Sequence, residues 1–229
     1  MPLVFTNTNE VHSNGVKILL YGPPGSGKTT ALSTVPNIII LSAEDGLLSI
    51  AGTNIRVILV KTVEDLNEAY TWLVQHMDQY DSVGIDSISE IGEIVLSALK
   101  GQYKDARLAY TDLADQVLKA LRKFRDLKGK NVIMIAKAAN LKEELTGLVK
   151  YFPTLPGTKL ANALPYQYDE VLYLDVKTDL ASGNTWRVIQ AHPDHQVTAK
   201  DRSGKLNKFE SPDLGQLILK CKGGVNNNG

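Results

Sequence analysis

A chain of 229 residues, 43% of them hydrophobic, is long enough for one α/β domain with a substantial core and short for two full domains. Its 25 basic and 25 acidic side chains cancel, so no whole-molecule field gathers polyanions; nucleic-acid binding would have to come from local patches or an assembly. The single cysteine, Cys221, excludes an internal disulfide and suits a reducing cytoplasm, and no stretch reads as a signal peptide or membrane span.

Residues 1–15 are polar and turn-rich and read as a lead-in to a core over 16–221, with 222–229 as a flexible tail. The run VKILLY (16–21) is a buried strand stopped by Gly22, and a helix carrying KTTALSTV follows until Pro36 ends it. NIIILSA (37–43) and NIRVILV (54–60) are further strands, apolar on both faces as in a covered parallel sheet. Thr62 caps a helix with Asp65 three residues on, and Val63, Leu66, Tyr70, Leu73 and Met77 recur along it at helical spacing. DSVGIDS (81–87) is a strand ending in an acid. Helices follow over about 88–99 and 105–127, the second with Leu113, Val117, Leu121 and Phe124 on one stripe, and NVIMIA (131–136) is another buried strand.

Residues 138–166 then change texture, with weak periodicity and three prolines. A connection of that length inside a compact domain reads as functional or mobile. Strands over 169–176 and 184–191 flank TDLASGN as a late β-hairpin. The alternation of strands and helices predicts an α/β fold, a mostly parallel twisted sheet with helices on both faces.

Chemistry concentrates in Gly22-Pro23-Pro24-Gly25-Ser26-Gly27-Lys28-Thr29, followed by Thr30, which fits the phosphate-binding P-loop at every fixed position and lies between a strand and a helix. Glycines allow backbone N–H groups to converge as an anion nest, Lys28 reaches the β- and γ-phosphates of ATP, and the Thr29 hydroxyl holds Mg²⁺. Asp86, at the end of an apolar strand, is the natural second contact to the Mg²⁺ shell; its plainer use is to cap the next helix. The GPPGSGKTT spelling has an AAA+ flavour, but those ATPases carry Glu directly after the strand-end Asp, where this chain has Ser87.

Glu44, in LSAEDGL, offers another way to orient water, with Asp45 as the substitute one residue on. The pattern resembles the RecA-like ATPases, whose water-activating Glu follows the strand beside the P-loop strand. On that resemblance Glu44 is the general base, against a surface acid at a strand exit. Lys137 stands where those proteins end a strand in a polar γ-phosphate sensor, usually Gln or His; a solvated strand-end Lys is the alternative. PGTKLANALPYQYDEVLYL (156–174) and AKDRSGKL (199–206) resemble the downstream signatures of phage core-only RecA-like single-strand annealing ATPases, the Sak-type recombinases. The resemblance runs from about Val16 to Leu206. It implies that Lys200 and Arg202, alternating about Asp201, reach the nucleotide of a neighbouring subunit in a filament or ring. A charged surface turn is the plainer reading.

The same resemblance places single-stranded DNA on residues 138–160, where Lys142, Lys150, Tyr151, Phe152 and Lys159 supply cations and aromatic faces. A lid or docked loop is the alternative. The basic stretch 119–130 reads better as a solvated helix face, and 99–110 is a weak candidate for a second DNA loop. The resulting expectation is a DNA-stimulated ATPase of phage recombination, in the bacterial host cytoplasm, working on single-stranded DNA and with a single-strand DNA-binding protein as a further partner. Two rivals stay open: a nucleotide-switched loader acting on a replication partner, and a P-loop small-molecule kinase. The kinase would need an arginine-rich lid, and 138–160 contains no Arg.

Overall fold

The computed structural model describes residues 15–44, 46–103, 106–142, 144 and 147–224; Asp45, the lead-in through residue 14, and the last five residues of the tail lie outside the described residues. In chain order the elements are β1 (Lys17–Gly22), α1 (Lys28–Leu32), β2 (Ile38–Ser42), β3 (Arg56–Leu59), α2 (Val63–His76), β4 (Ser82–Asp86), α3 (Ile88–Lys100), α4 (Ala106–Arg125), β5 (Asn131–Lys142), β6 (Val149–Thr154), α5 (Thr158–Ala163), β7 (Glu170–Thr178), β8 (Thr185–Gln190), β9 (Lys200–Asp201), β10 (Phe209–Glu210) and α6 (Leu214–Cys221).

The described strands join one sheet in the order β10-β8-β7-β1-β5-β4-β2-β3, with β6 paired to β5 and β9 to β7. From β7 to β3 every neighbour on this path is parallel, so the carboxyl ends of β1, β2, β4 and β5 share one edge. Burial on both faces follows from two apolar layers. One packs α2–α5 residues such as Leu73, Val95, Val117 and Leu160 on Leu19, Ile39, Val83 and Met134. The other packs Leu32, Leu214 and Leu217 of α1 and α6 on Ile18, Ile40, Ile133 and Leu172. This is the α/β arrangement expected, a mostly parallel sheet with helices on both faces, late hairpin β7–β8 included.

Three local expectations need correction. α1 stops at Leu32 because the hydroxyls of Ser33 and Thr34 turn back on the carbonyls of Thr30 and Ala31, competing with the helix before Pro36 is reached. β2 is not beside the P-loop strand: β5 and β4 stand between them, and β2 pairs with β4. Much of 138–160 is not a loose loop but a β-hairpin, in which β5 continues past its buried half and β6 returns from Lys142↔Val149 to Lys137↔Thr154. Sparse apolar residues hid it, because most of the projecting part is solvated on at least one side. A helix over 214–221, which the sequence reading did not place, is capped by Asp213 accepting from Gln216 N and buries Leu214, Leu217, Ile218 and Cys221.

Candidate active site

The shared carboxyl edge brings Gly22–Thr30, Glu44, Asp86 and Lys137 together. β1 reaches Gly22 and its parallel partner β5 reaches Lys137 at the same register position, while Ser42 and Asp86 are paired on β2 and β4. The loop after β1 has to be glycine at its ends. A Cβ on Gly22 would come within 2.3 Å of the Leu174 carbonyl oxygen, and Gly27 holds a left-handed φ of 96°.

Lys28 Nζ donates to the carbonyls of Gly22 (2.9 Å) and Pro23 (2.8 Å), and burial lowers its pKa, with Asp86 and Glu44 opposing. The Thr29 hydroxyl donates to Asp86 Oδ2 at 2.6 Å. Burial raises the Asp86 pKa; the Thr29 bond and Lys28 act against it and Glu44 with it. Asp86 does not cap α3: Ser87 holds that position and accepts from Glu90 N.

Glu44 reaches the site although its strand is three places from β1. Its backbone N–H and that of Ala43 both donate to the Asp86 carbonyl, Ser42 Oγ donates to the Glu44 carbonyl, and Ser87 Oγ donates to Glu44 Oε1 at 2.6 Å. The serine that departs from the AAA+ pattern therefore positions the carboxylate of Glu44. Lys137, half-exposed, pairs with Glu90 Oε2 at 2.7 Å, which raises its pKa. Its backbone N–H donates to Ser89 Oγ, and Ser89 donates in turn to the Thr154 carbonyl, tying α3 to the β5–β6 hairpin. The supporting roles of Ser87, Ser89 and Glu90 were missed by the sequence reading; the clue in SISE was polar residues crowded directly behind a strand-end acid. Arg187 of β8 was missed too. Its Nε lies 2.8 Å from where a Gly27 Cβ would stand.

The other expected residues lie elsewhere. Lys200 and Arg202 sit at the opposite edge of the sheet, because β9 pairs with the beginning of β7. Lys200 Nζ donates to the carbonyls of Pro165 and Tyr168, and Arg202 pairs with Asp169 Oδ1 at 2.9 Å. Neither belongs to the chain's own nucleotide site. Tyr151 is not presented to solvent as a stacking platform: its ring packs on Tyr173 with centroids 5.5 Å apart, and its backbone carbonyl accepts from Tyr21 Oη and Thr198 N. Lys142, Lys150 and Lys159 are exposed. Lys150 and Phe152, on one face of the hairpin, line an open groove of about 850 Å³ with Leu141, Thr158 and Tyr166. Of the 119–130 stretch, Arg122 and Arg125 bind Gln167 and Lys130 binds the Tyr80 carbonyl. The 99–110 candidate falls on the end of α3 and start of α4, with Lys104 and Asp105 outside the described residues. Trp72 stacks on His76, whereas Trp186 is half-exposed and outside both cores.

The sequence model of the AAA domain family matches residues 14–203. The chain belongs to the AAA domain family. AAA domains are P-loop ATPases, which makes this chain a nucleotide-binding protein of the ATPase class. No curated protein matches the chain. Among solved structures it is similar to the KaiC-like protein PH0186 from the hyperthermophilic archaeon Pyrococcus horikoshii OT3, at 16% identity over 77% of this chain and 78% of that one, TM-score 0.44. A likeness at this level does not define a fold, which rests here on strand order and motif placement.

The residues fit the nucleotide and Mg²⁺ that an ATPase of this family implies. Ser26 Oγ is fully buried inside the loop with no hydrogen-bond partner among the described residues. The Thr29 hydroxyl and the Asp86 carboxylate are adjoining hard oxygens, the donor type Mg²⁺ takes. Among the described residues, no helix is long and apolar enough to cross a membrane.

Proposed function

We propose that this AAA domain is a RecA-like ATPase of phage DNA recombination that binds single-stranded DNA, promotes annealing or strand pairing, and hydrolyses ATP as a self-assembled filament or ring in the host cytoplasm. The supporting observation is the continuity of β5. Its buried half carries Lys137 to the register position of Gly22, and its projecting half forms the hairpin that lines the Leu141–Lys150–Phe152–Tyr166 groove. One strand thus joins the nucleotide edge to an exposed groove with a cation and aromatic faces, the combination that holds single strands without sequence preference.

In this reading Lys28 and the loop N–H groups hold the phosphates, and Thr29 and Asp86 hold Mg²⁺, which when bound neutralises charge on the β- and γ-phosphate oxygens. Glu44, fixed by Ser87, accepts the proton of the attacking water. Lys137 reports the γ-phosphate to the hairpin through its own strand. Lys142, Lys150 and Lys159 meet DNA phosphates, while Tyr151 supports the hairpin from within. Arg202 serves a neighbour's nucleotide. It is the exposed member of its pair, and its surface bond to Asp169 is of the kind worth little to the fold. Lys200, held by two carbonyls, positions that segment.

The test is steady-state ATP hydrolysis with and without single-stranded DNA, beside Lys28→Ala and Arg202→Ala. The proposal expects stimulation by DNA that both variants lose. Hydrolysis indifferent to DNA, with Arg202→Ala like wild type, would remove both the DNA role and the shared site. A chain that releases phosphate only with a partner protein would point to the loader.

A further inference from the structure

The β7–β8 hairpin begins where β7 leaves the P-loop strand. Tyr173 is the last residue paired to β1, opposite Tyr21, and the Leu174 carbonyl then passes against Gly22. Beyond that point β7 and β8 pair only with each other, from Asp175↔Val188 to Thr178↔Thr185, and rise beside the nucleotide loop. Side chains alternate along β8. Ile189 belongs to the apolar layer that contains Ala31 and Leu32 of α1, so Arg187, two residues before it, points to the same side as α1 and the loop that precedes it. The guanidinium accordingly lies over Gly27. A Cβ there would come within 2.8 Å of Arg187 Nε, 3.0 Å of Cδ and 3.5 Å of Cζ.

This arginine has no evident structural duty. Its side chain is exposed and makes no hydrogen bond or ion pair among the described residues. The nearby acid of its own hairpin, Asp175, is paired with Lys177 at 2.7 Å. Charge at the nucleotide edge is also lopsided without it. Lys28 faces two carboxylates, Asp86 and Glu44, while Lys137 is neutralised by Glu90. A net-negative Mg-nucleotide entering that set needs a further cation, and among the described residues Arg187 is in contact with the loop.

We propose that Arg187 is a nucleotide-binding residue supplied by the same chain, a guanidinium that grips the α/β-phosphate end of a nucleoside di- or triphosphate seated over Gly27. The planar fork of Arg matches phosphate oxygens in a bidentate way that Lys does not. The inference rests on the reading of Gly22–Thr30 as the nucleotide site. It also gives Gly27 a second reason to lack a side chain, since any Cβ would push the guanidinium away.

The experiment is equilibrium binding of Mg-ATP and Mg-ADP, read by displacement of a fluorescent nucleotide, to wild type, Arg187→Ala, Arg187→Lys and Lys28→Ala. Thermal melts confirm that each variant is folded. Arg187→Ala should weaken ATP and ADP alike by about tenfold, the size of one charge-assisted contact. Arg187→Lys should recover only part of this, and the loss should be the same in dilute and concentrated protein. Wild-type affinity in Arg187→Ala, with Lys28→Ala defective, would overturn the Arg187 contact and leave the P-loop reading standing. A loss confined to ATP, or one that disappears on dilution, would overturn its placement at the α/β end or in the same chain. Wild type that binds neither nucleotide would overturn both readings together.

Discussion

The Thr29 hydroxyl donates to Asp86 Oδ2 across 2.6 Å, joining the first turn of α1, where the P-loop ends, to the end of β4, two places from β1 in the sheet. Replacing Asp86 by Asn keeps the shape and removes the charge. Asp86→Asn should weaken the apparent Mg²⁺ affinity of ATP hydrolysis by about 10–100-fold, the range seen when a supporting metal-site group is lost. A Mg²⁺ titration of hydrolysis at fixed ATP measures it, and an unchanged midpoint would remove Asp86 from the metal shell.

Ser87 serves two partners, as cap of α3 and as donor to Glu44. Ser87→Ala should cost about 1 kcal/mol of stability from the lost cap. It should also lower kcat with little change in KM for ATP, because Glu44 is freed to turn away. Ser87→Thr, which keeps the hydroxyl, should restore both. A stability loss without a kcat effect would reduce Ser87 to a cap.

The fold and the nucleotide loop could be read in the sequence because each has a strong local signal: apolar runs broken by Gly or Pro, and a motif whose glycines are fixed by backbone geometry. The capping box of Thr62 and Asp65 formed as spelled. Long-range pairing could not be read in the same way. Nothing in NIIILSA says that β5 and β4 stand between it and the P-loop strand, and nothing in KDRSG says that β9 starts at the far edge of the sheet. The β5–β6 hairpin escaped because its projecting part faces solvent, where alternation fades. Arg187 escaped because its neighbour Gly27 is 160 residues earlier in the chain, a proximity created only by β7 passing Gly22.

Glu170 supplies a pH test away from the active edge. It is buried at the start of β7, with Oε1 accepting from Ser203 N, Oε2 without a hydrogen-bond partner among the described residues, and Asp201 alongside. Burial first, and Asp201 next, push its pKa up to about 8. A carboxyl whose pKa is higher in the folded than in the unfolded chain favours folding most at low pH, and that contribution is lost as pH rises through the folded value. Between roughly pH 4.5 and 8 Glu170 should therefore lower the melting temperature progressively. Glu170→Gln should flatten that slope; an identical slope in wild type and variant would show that Glu170 ionises normally.

The hairpin separates support from contact. Tyr151→Ala removes a stacked pair worth about 0.5–1.5 kcal/mol beyond its burial, so it should lower the melting temperature. Lys150→Glu touches only an exposed side chain. It should leave the melting temperature within a degree or so and weaken single-stranded DNA binding, with a shallower salt dependence as one phosphate contact is lost. Unchanged DNA affinity in Lys150→Glu, measured by anisotropy at two salt concentrations, would move the DNA away from this groove.

The most direct test of the account is a comparison of Glu44→Gln with wild type in two measurements on the same preparation, Mg-ATP affinity and single-turnover hydrolysis. A general base contributes about 10²–10⁴-fold, so hydrolysis should fall by that much while ATP affinity stays within a few-fold of wild type. Hydrolysis that survives in Glu44→Gln would contradict the assignment of Glu44, and with it the claim that this edge of the sheet is built to turn ATP over.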